Sequence, residues 1–187
     1  MRIISGKLKG KKLKDPIDKE TRPLKDMVKE SIFNIINHSN KFNLDLERSN
    51  ILDLFSGVGS FGIECLSRGV KKVIFVENYN KVLDILDYNL KSLKLENYEI
   101  LKKNIYEENT FENFNYKFDI IFLDPPYKEK NINDLFLMIF DNKLLNKNGI
   151  IILHRKKSDN DMLPKEFIKI EEKTYGISKI MFFSTLN

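Results

Sequence analysis

Asp124, Pro125, Pro126 and Tyr127 stand together directly after the apolar run 118–123, and residues of these types at this spacing can hold a planar amine. An exocyclic amine on a nucleobase is a weak nucleophile, because its lone pair is delocalised into the ring. The Asp124 carboxylate and the Pro125 carbonyl are two acceptors that could grip both N–H bonds. The nitrogen would then be held in line with a transferable methyl group, a form of catalysis that works chiefly by positioning. The prolines fix an extended, donor-free backbone that leaves carbonyl oxygens available. Tyr127 would stack on a base taken out of its helix, as chemistry on base atoms requires. Chemistry at a ring carbon would call instead for a cysteine nucleophile beside this loop. Cys65 lies elsewhere, in a helical stretch, and reads as a small buried hydrophobe.

A second constellation precedes it. Gly57, Gly59 and Gly62 match G-x-G-x-x-G after a short apolar run, and Glu77 lies 20 positions after Gly57 at the end of the next run. Taken alone, this loop is compatible with a dinucleotide. Asp53 argues against it, since a carboxylate just before the loop would face a bound pyrophosphate of like charge. Asp53 suits a ligand with an ammonium group, and S-adenosylmethionine is such a ligand. Asp53 could hold its amino group directly or through water, Glu77 could accept the ribose hydroxyls, and the glycines let the backbone approach closely.

Both constellations need a scaffold that brings strand ends together. From Asn50 onward, short apolar runs alternate with helical stretches, the pattern of a parallel sheet built from strand-helix-strand units. Strands are predicted at 51–54, 72–76, 98–101, 118–123 and 150–153, with a closing hairpin from 167–173 and 179–184 around Gly176. Helices are predicted at 61–68, 81–93, 106–113 and 132–140. Ahead of the sheet, residues 1–14 alternate like a small hairpin with Gly6 and Gly10 at its turns. A helix follows, with Pro23 suited to its first position and Val28, Ile32, Ile35 and Ile36 on one face. The expected fold is therefore α/β: a seven-stranded, mostly parallel sheet with helices on both faces and a small hairpin and helix in front. The expected division is 1–48 for that extension and 49–187 for the domain carrying the chemistry.

The 187 residues are enough for one sizeable core. The 32 Lys and Arg exceed the 27 Asp and Glu, giving a net charge of +5, and the excess is concentrated at the start of the chain. Arg2, Lys7, Lys9, Lys11, Lys12 and Lys14 occur before any acidic residue, a patch suited to a polyanion. A single cysteine excludes an internal disulfide framework, and with only two histidines beside it no metal site is expected. The basic start lacks the apolar core of a secretory signal, and the longest apolar run, 135–140, is far short of the ~20 residues of a membrane helix. A cytoplasmic protein without membrane attachment is expected.

These residues resemble the class I methyltransferases, and within them the RsmD-type enzymes, which methylate the 2-amino group of one guanine, guanine 966, in bacterial 16S ribosomal RNA. The resemblance runs along nearly the whole chain. It is carried by Arg2-Ile3-Ile4-Ser5-Gly6 with Gly10 and Leu13, by Thr21-Arg22-Pro23, and by Val28-Lys29-Glu30-Ser31-Ile32-Phe33-Asn34. It continues through Asp53-Leu54-Phe55-Ser56-Gly57-Val58-Gly59, Leu66-Ser67-Arg68-Gly69, Asp124-Pro125-Pro126-Tyr127 and Tyr175-Gly176. The N-terminal segments are the most specific, because the glycine loop and Asp-Pro-Pro-Tyr also occur in DNA adenine methyltransferases.

The resemblance implies cofactor contacts at Asp53, Phe55, Gly57, Gly59, Glu77 and Asn104, and amine contacts at Asp124, Pro125, Pro126 and Tyr127. It implies RNA contacts from the basic arm, with Arg22 and Lys29 at the start of the first helix joining Arg2, Lys7, Lys9, Lys11 and Lys12. The partner would be 16S ribosomal RNA within the small subunit or an assembly intermediate, met by a monomer that needs no metal. Three positions depart from the family pattern. Val58 is bulkier than the usual small polar residue, Asn104-Ile105 replaces the commoner Asp-Ala, and Leu153 replaces an acidic residue. His154 reads as a structural or surface histidine. The competing readings are a DNA adenine amino-methyltransferase, for which fewer than 50 residues before the sheet leave little target-reading module, and a catalytically silent binding module.

Overall fold

The computed structural model describes residues 1–17, 24–107, 109–112 and 114–186. Five strands form the parallel part of one sheet: β1 (Asn50–Leu54), β2 (Lys72–Val76), β3 (Tyr98–Leu101), β4 (Phe118–Leu123) and β5 (Leu145–Lys156). Strands β6 (Phe167–Tyr175) and β7 (Ser178–Thr185) form the closing hairpin, with β7 antiparallel to β5, so the order across the sheet is β3-β2-β1-β4-β5-β7-β6. The sheet expected from the apolar runs is thus present, as are helices on both of its faces.

Side-chain alternation along the strands feeds two cores. Ile51, Val73, Phe75, Ile120, Phe122, Ile150 and Ile152 point to one face, where they meet α1 (Asp26–His38), α2 (Ser60–Ser67) and α3 (Asn80–Ser92). Leu52, Leu54, Ile74, Val76, Ile121, Leu123 and Ile151 point to the other, where they meet α4 (Ile132–Asp141). Because both faces are covered, the inner strands β1, β2 and β4 are apolar on both sides and read as near-continuous runs rather than alternating ones. No helix among the described residues is long and apolar enough to cross a membrane.

Three expectations are corrected. The described residues of 106–112 form turns and not a helix: the Asn104 side chain accepts the Tyr106 amide at 3.1 Å, and the Thr110 hydroxyl donates to the Asn104 carbonyl at 2.8 Å. Such side-chain bonds compete with helical ones. Strand β5 starts at Leu145, well before 150, and the turn-like Asn146-Lys147-Asn148-Gly149 is taken up at an irregularity in its pairing with β4. Helix α1 starts at Asp26 behind an extended Lys25, while Pro23, expected at its first position, lies outside the described residues. Val28, Ile32 and Ile36 are buried as their spacing predicts, and Phe33 joins them.

The N-terminal arm is a hairpin tied by one antiparallel bridge, Arg2 with Lys12, and it is fastened along the length of α2. The Glu64 carboxylate accepts the Ile4 and Ser5 amides at 2.8 and 2.9 Å, and the Lys7 amide donates to the Ser67 carbonyl at 2.8 Å. Gly6 sits at φ +79°, and a Cβ there would lie 1.9 Å from the Ser67 carbonyl oxygen, so only glycine permits this contact. Ile3 and Leu13 are buried in the same core as α1 and β1.

Candidate active site

In an open α/β sheet, ligands bind beyond the carboxyl ends of the strands where the order reverses. Here that point lies at β1, flanked by β2 on one side and β4 on the other. A cavity of about 940 Å³ opens there, within the range of small-molecule sites. Its walls bring together residues from far apart in the chain: Asp53, Phe55, Gly57, Glu77, Asn104 and the stretch from Asp124 to Tyr127 all line it. Gly59, expected beside them, caps α2 at the base of the loop with φ +86°.

Asp53, the penultimate residue of β1, is 1% exposed. Its Oδ2 accepts the Gly62 amide at 2.9 Å, which draws α2 against the strand. A Cβ on Gly62 would come within 2.3 Å of the Phe75 ring and 2.9 Å of that same oxygen, so the glycine is what lets helix and carboxylate meet. Burial pushes the Asp53 carboxyl well above the usual carboxylate range. The Gly62 amide opposes this shift, while Asp124 and Glu77 add to it. A cationic ligand would relieve this accumulation of negative charge.

Glu77, just beyond β2, shapes the rest of the loop. Its Oε2 accepts the Gly57 amide at 2.7 Å, and its Oε1 accepts the Asn78 and Tyr79 amides, both at 2.9 Å. Phe55 adopts φ +58°, a left-handed conformation that costs a bulky residue energy and is held here by the turn between β1 and α2. The Asn104 oxygen is engaged with the Tyr106 amide, so an adenine amine would have to share it.

The Asp124 amide still reaches the Leu54 carbonyl of β1, at 3.5 Å, before the chain turns away. The turn closes when the Glu129 amide donates to the Pro126 carbonyl at 2.9 Å, and the Glu129 carbonyl is held by buried Arg155 at 3.0 Å. The Tyr127 ring lies with the Lys156 ammonium 4.7 Å from its centre, a cation placed over the surface on which a base would stack.

Sequence reasoning missed His154. Its Nδ1 lies 2.8 Å from Asp124 Oδ1. No local spacing signals it: Leu123 pairs with Leu153 in parallel register, a contact made only in the folded sheet, which sets the next residue of each strand side by side at the carboxyl edge. Lys25 and Val28 of the α1 region and Ile177 at the β6–β7 turn also line the cavity, and no spacing rule would have placed them there. No group of three or more His, Cys, Asp or Glu able to hold a metal occurs among the described residues.

Of the residues expected at RNA, Arg2, Lys7, Lys9, Lys11 and Lys12 are exposed on the arm, and Arg22 lies outside the described residues. Lys29 is a correction. It is 0% exposed, donates to the Arg2 carbonyl at 2.8 Å and lies 4.0 Å from Glu64, so it braces the arm from beneath and cannot reach a phosphate.

A sheet of this order, with an acidic residue near the carboxyl end of β1 and another just past β2 around a glycine loop and an Asp-Pro-Pro-Tyr turn after β4, defines a class I methyltransferase. A crystal structure from Haemophilus influenzae superposes with a TM-score of 0.77 at 31% identity, covering 100% of this chain and 98% of that one. The family model for Conserved hypothetical protein 95 matches residues 1–184, and the chain belongs to that family, the RsmD-type methyltransferases. The Bacillus subtilis protein YlbH is 34% identical over 186 residues, 98% of each chain. Ribosomal RNA small subunit methyltransferase D of Haemophilus influenzae is 32% identical over 179 residues, 95% of this chain and 90% of that protein.

Proposed function

We propose that the protein transfers a methyl group from S-adenosylmethionine to the exocyclic 2-amino group of a guanine in small-subunit ribosomal RNA, at the position numbered 966. The observation that carries this reading is the meeting of Asp124 and the glycine-loop carboxylates in one cavity. The relatives named ribosomal RNA small subunit methyltransferase D support the substrate class. When bound, S-adenosylmethionine supplies an electrophilic methyl group on a sulfonium. Asp53 balances the ligand's ammonium group and Glu77 lies where ribose hydroxyls would be received. Asp124 and the Pro125 carbonyl hold the amine, and the nitrogen's surplus proton leaves to the Asp124 carboxylate or to water. Tyr127 carries the base.

The test is methylation of small-subunit particles from cells lacking the protein, with digestion to nucleosides. N2-methylguanosine is the expected product. N6-methyladenosine, or no methylated nucleoside at all, would overturn the reading.

Cofactor choice follows from Asp53. Calorimetry should show S-adenosylmethionine binding in preference to NAD, and Asp53→Ala should weaken it roughly 10- to 100-fold, the worth of a hydrogen bond to a charged group. Because an ammonium favours the ionised form of a carboxyl whose free-state pKa is raised, binding should expel a proton. Affinity should then rise with pH through the range in which Asp53 titrates. Tight NAD binding without S-adenosylmethionine binding contradicts the assignment.

We further propose that residues 1–48 present the RNA, acting as a monomer together with the methyl-transferring remainder. So small an element reads few base edges, and phosphate contacts position without specifying sequence. The shape of a folded subunit or assembly intermediate would supply the specificity. Since Ile3 and Leu13 belong to the core, the arm is better tested by charge than by deletion. Replacing Lys7, Lys9, Lys11 and Lys12 by Ala should weaken RNA binding and flatten its log–log salt dependence by roughly one unit per lost phosphate contact. S-adenosylmethionine binding should be spared, and an unchanged salt slope would remove the arm from the interface.

A further inference from the structure

The proposed transfer leaves His154 without a task, although it makes the polar contact nearest the reacting end of the cavity. Its Nδ1 lies 2.8 Å from Asp124 Oδ1, its side chain is 12% exposed, and its Nε2 is buried with no hydrogen-bond partner among the described residues. Together these facts locate the proton. Facing an ionised Asp124, which can only accept, Nδ1 must carry the hydrogen. The imidazole is therefore a donor aimed at one carboxylate oxygen.

We propose that His154 is the positioning residue for Asp124, holding Oδ1 so that Oδ2 alone is presented to the amine. The bond engages Oδ1 and leaves Oδ2 outside it. Strand register does the placing, since Leu123 and Leu153 are paired and the two functional side chains follow them. Without this bond the carboxylate turns about its χ2 torsion and either oxygen can face the amine. Where catalysis depends on alignment, a displacement of ~1 Å costs about 10²-fold in rate. His154 itself need not touch the substrate; it acts through Asp124.

This inference rests on Asp124 being the residue that grips the amine, so the experiment includes Asp124→Ala. Wild type, His154→Leu, His154→Asn and Asp124→Ala are compared for kcat and KM on small-subunit particles, for S-adenosylmethionine binding, and for thermal midpoint. His154→Leu should lower kcat about 10²-fold with KM and cofactor affinity unchanged. His154→Asn, whose amide nitrogen can stand near the place of Nδ1 and donate to Oδ1, should recover most of the loss. Wild-type kcat in His154→Leu, or equal loss in both variants, with Asp124→Ala inactive, overturns the positioning role and leaves the Asp124 assignment intact. Normal turnover by Asp124→Ala overturns the assignment itself. Should His154→Leu not fold, His154→Gln takes its place, since its donor sits one bond farther out. Asn active and Gln impaired is the expected pattern, and equal activity of the two overturns the role.

Discussion

Replacing Asp124 by Ala should lower turnover by roughly 10²–10⁴-fold, the range associated with a side chain that accepts a proton from the reacting group, while leaving S-adenosylmethionine affinity nearly unchanged. The asymmetry follows from where Asp124 sits. On the proposed reading the cofactor meets Asp53, Glu77 and the glycine loop at the ends of β1 and β2, whereas Asp124 belongs to the turn after β4 and is tied to β5 through His154. Its loss removes an interaction made with the amine as the new bond forms, so kcat falls. KM for RNA should move little, because the arm lies outside this turn. Single-turnover methylation with saturating cofactor separates the two effects. A variant that binds cofactor poorly but turns over normally once saturated would mean that Asp124 serves the cofactor and not the base.

Glu64→Ala should destabilise the protein by about 3–5 kcal/mol, the cost of leaving a buried charge without its partner. That corresponds to a fall in thermal midpoint of roughly 6–20 °C for a chain of this size. Glu64 is 0% exposed; it accepts the Ile4 and Ser5 amides, holds Arg68 at 2.9 Å and faces Lys29 at 4.0 Å. Removing it strands two arm amides and the Lys29 ammonium together. Burial already lowers the Lys29 pKa, with Glu64 and Asp26 opposing the shift. A lysine depressed in the folded state binds more protons when unfolded, so stability rises with pH between its folded value and the ordinary lysine value. Without Glu64 that value drops further and the window widens, so the variant's deficit should shrink in alkaline solution. Denaturant titrations at two pH values check both points, and a loss under about 1 kcal/mol would show that the arm is held without Glu64, by its apolar contacts and its bonds to Ser67.

Much of this architecture was legible because a sheet covered on both faces writes itself as apolar runs: 72–76, 98–101 and 118–123 are strands with the expected bounds. The glycine loop, the acidic strand ends and the Asp-Pro-Pro-Tyr turn were legible too, since each is a local spacing. What escaped depended on contacts between distant segments. Asn146 to Gly149 has the composition of a turn, yet strand β5 runs through it because pairing with β4 on either side, Leu145 with Phe118 and Ile150 with Ile120, absorbs it as an irregularity. Lys29 reads as a surface cation on an amphipathic helix, and its burial depends on distant partners, the Arg2 carbonyl of the arm and Glu64 of α2. The Asp124–His154 pair depends on register between two strands 30 residues apart, which no local pattern encodes.

The outer strand of the sheet bears on how the protein behaves when crowded. Strand β6 is an edge, and an edge with unpaired amides can be extended by a strand from another molecule. Its pairing with β7 shifts between Lys169 and Glu171, so the ladder it would offer is out of step along its length. Lys169 is bound to Glu172, and Glu171 is bound to Lys41 at 2.8 Å, which studs the edge with charge of both signs. An incoming strand would have to break these pairs and match an interrupted register. Concentrated solutions should therefore resist fibre formation along this margin, and neutralising Lys169, Glu171 and Glu172 together would remove the charged part of that protection.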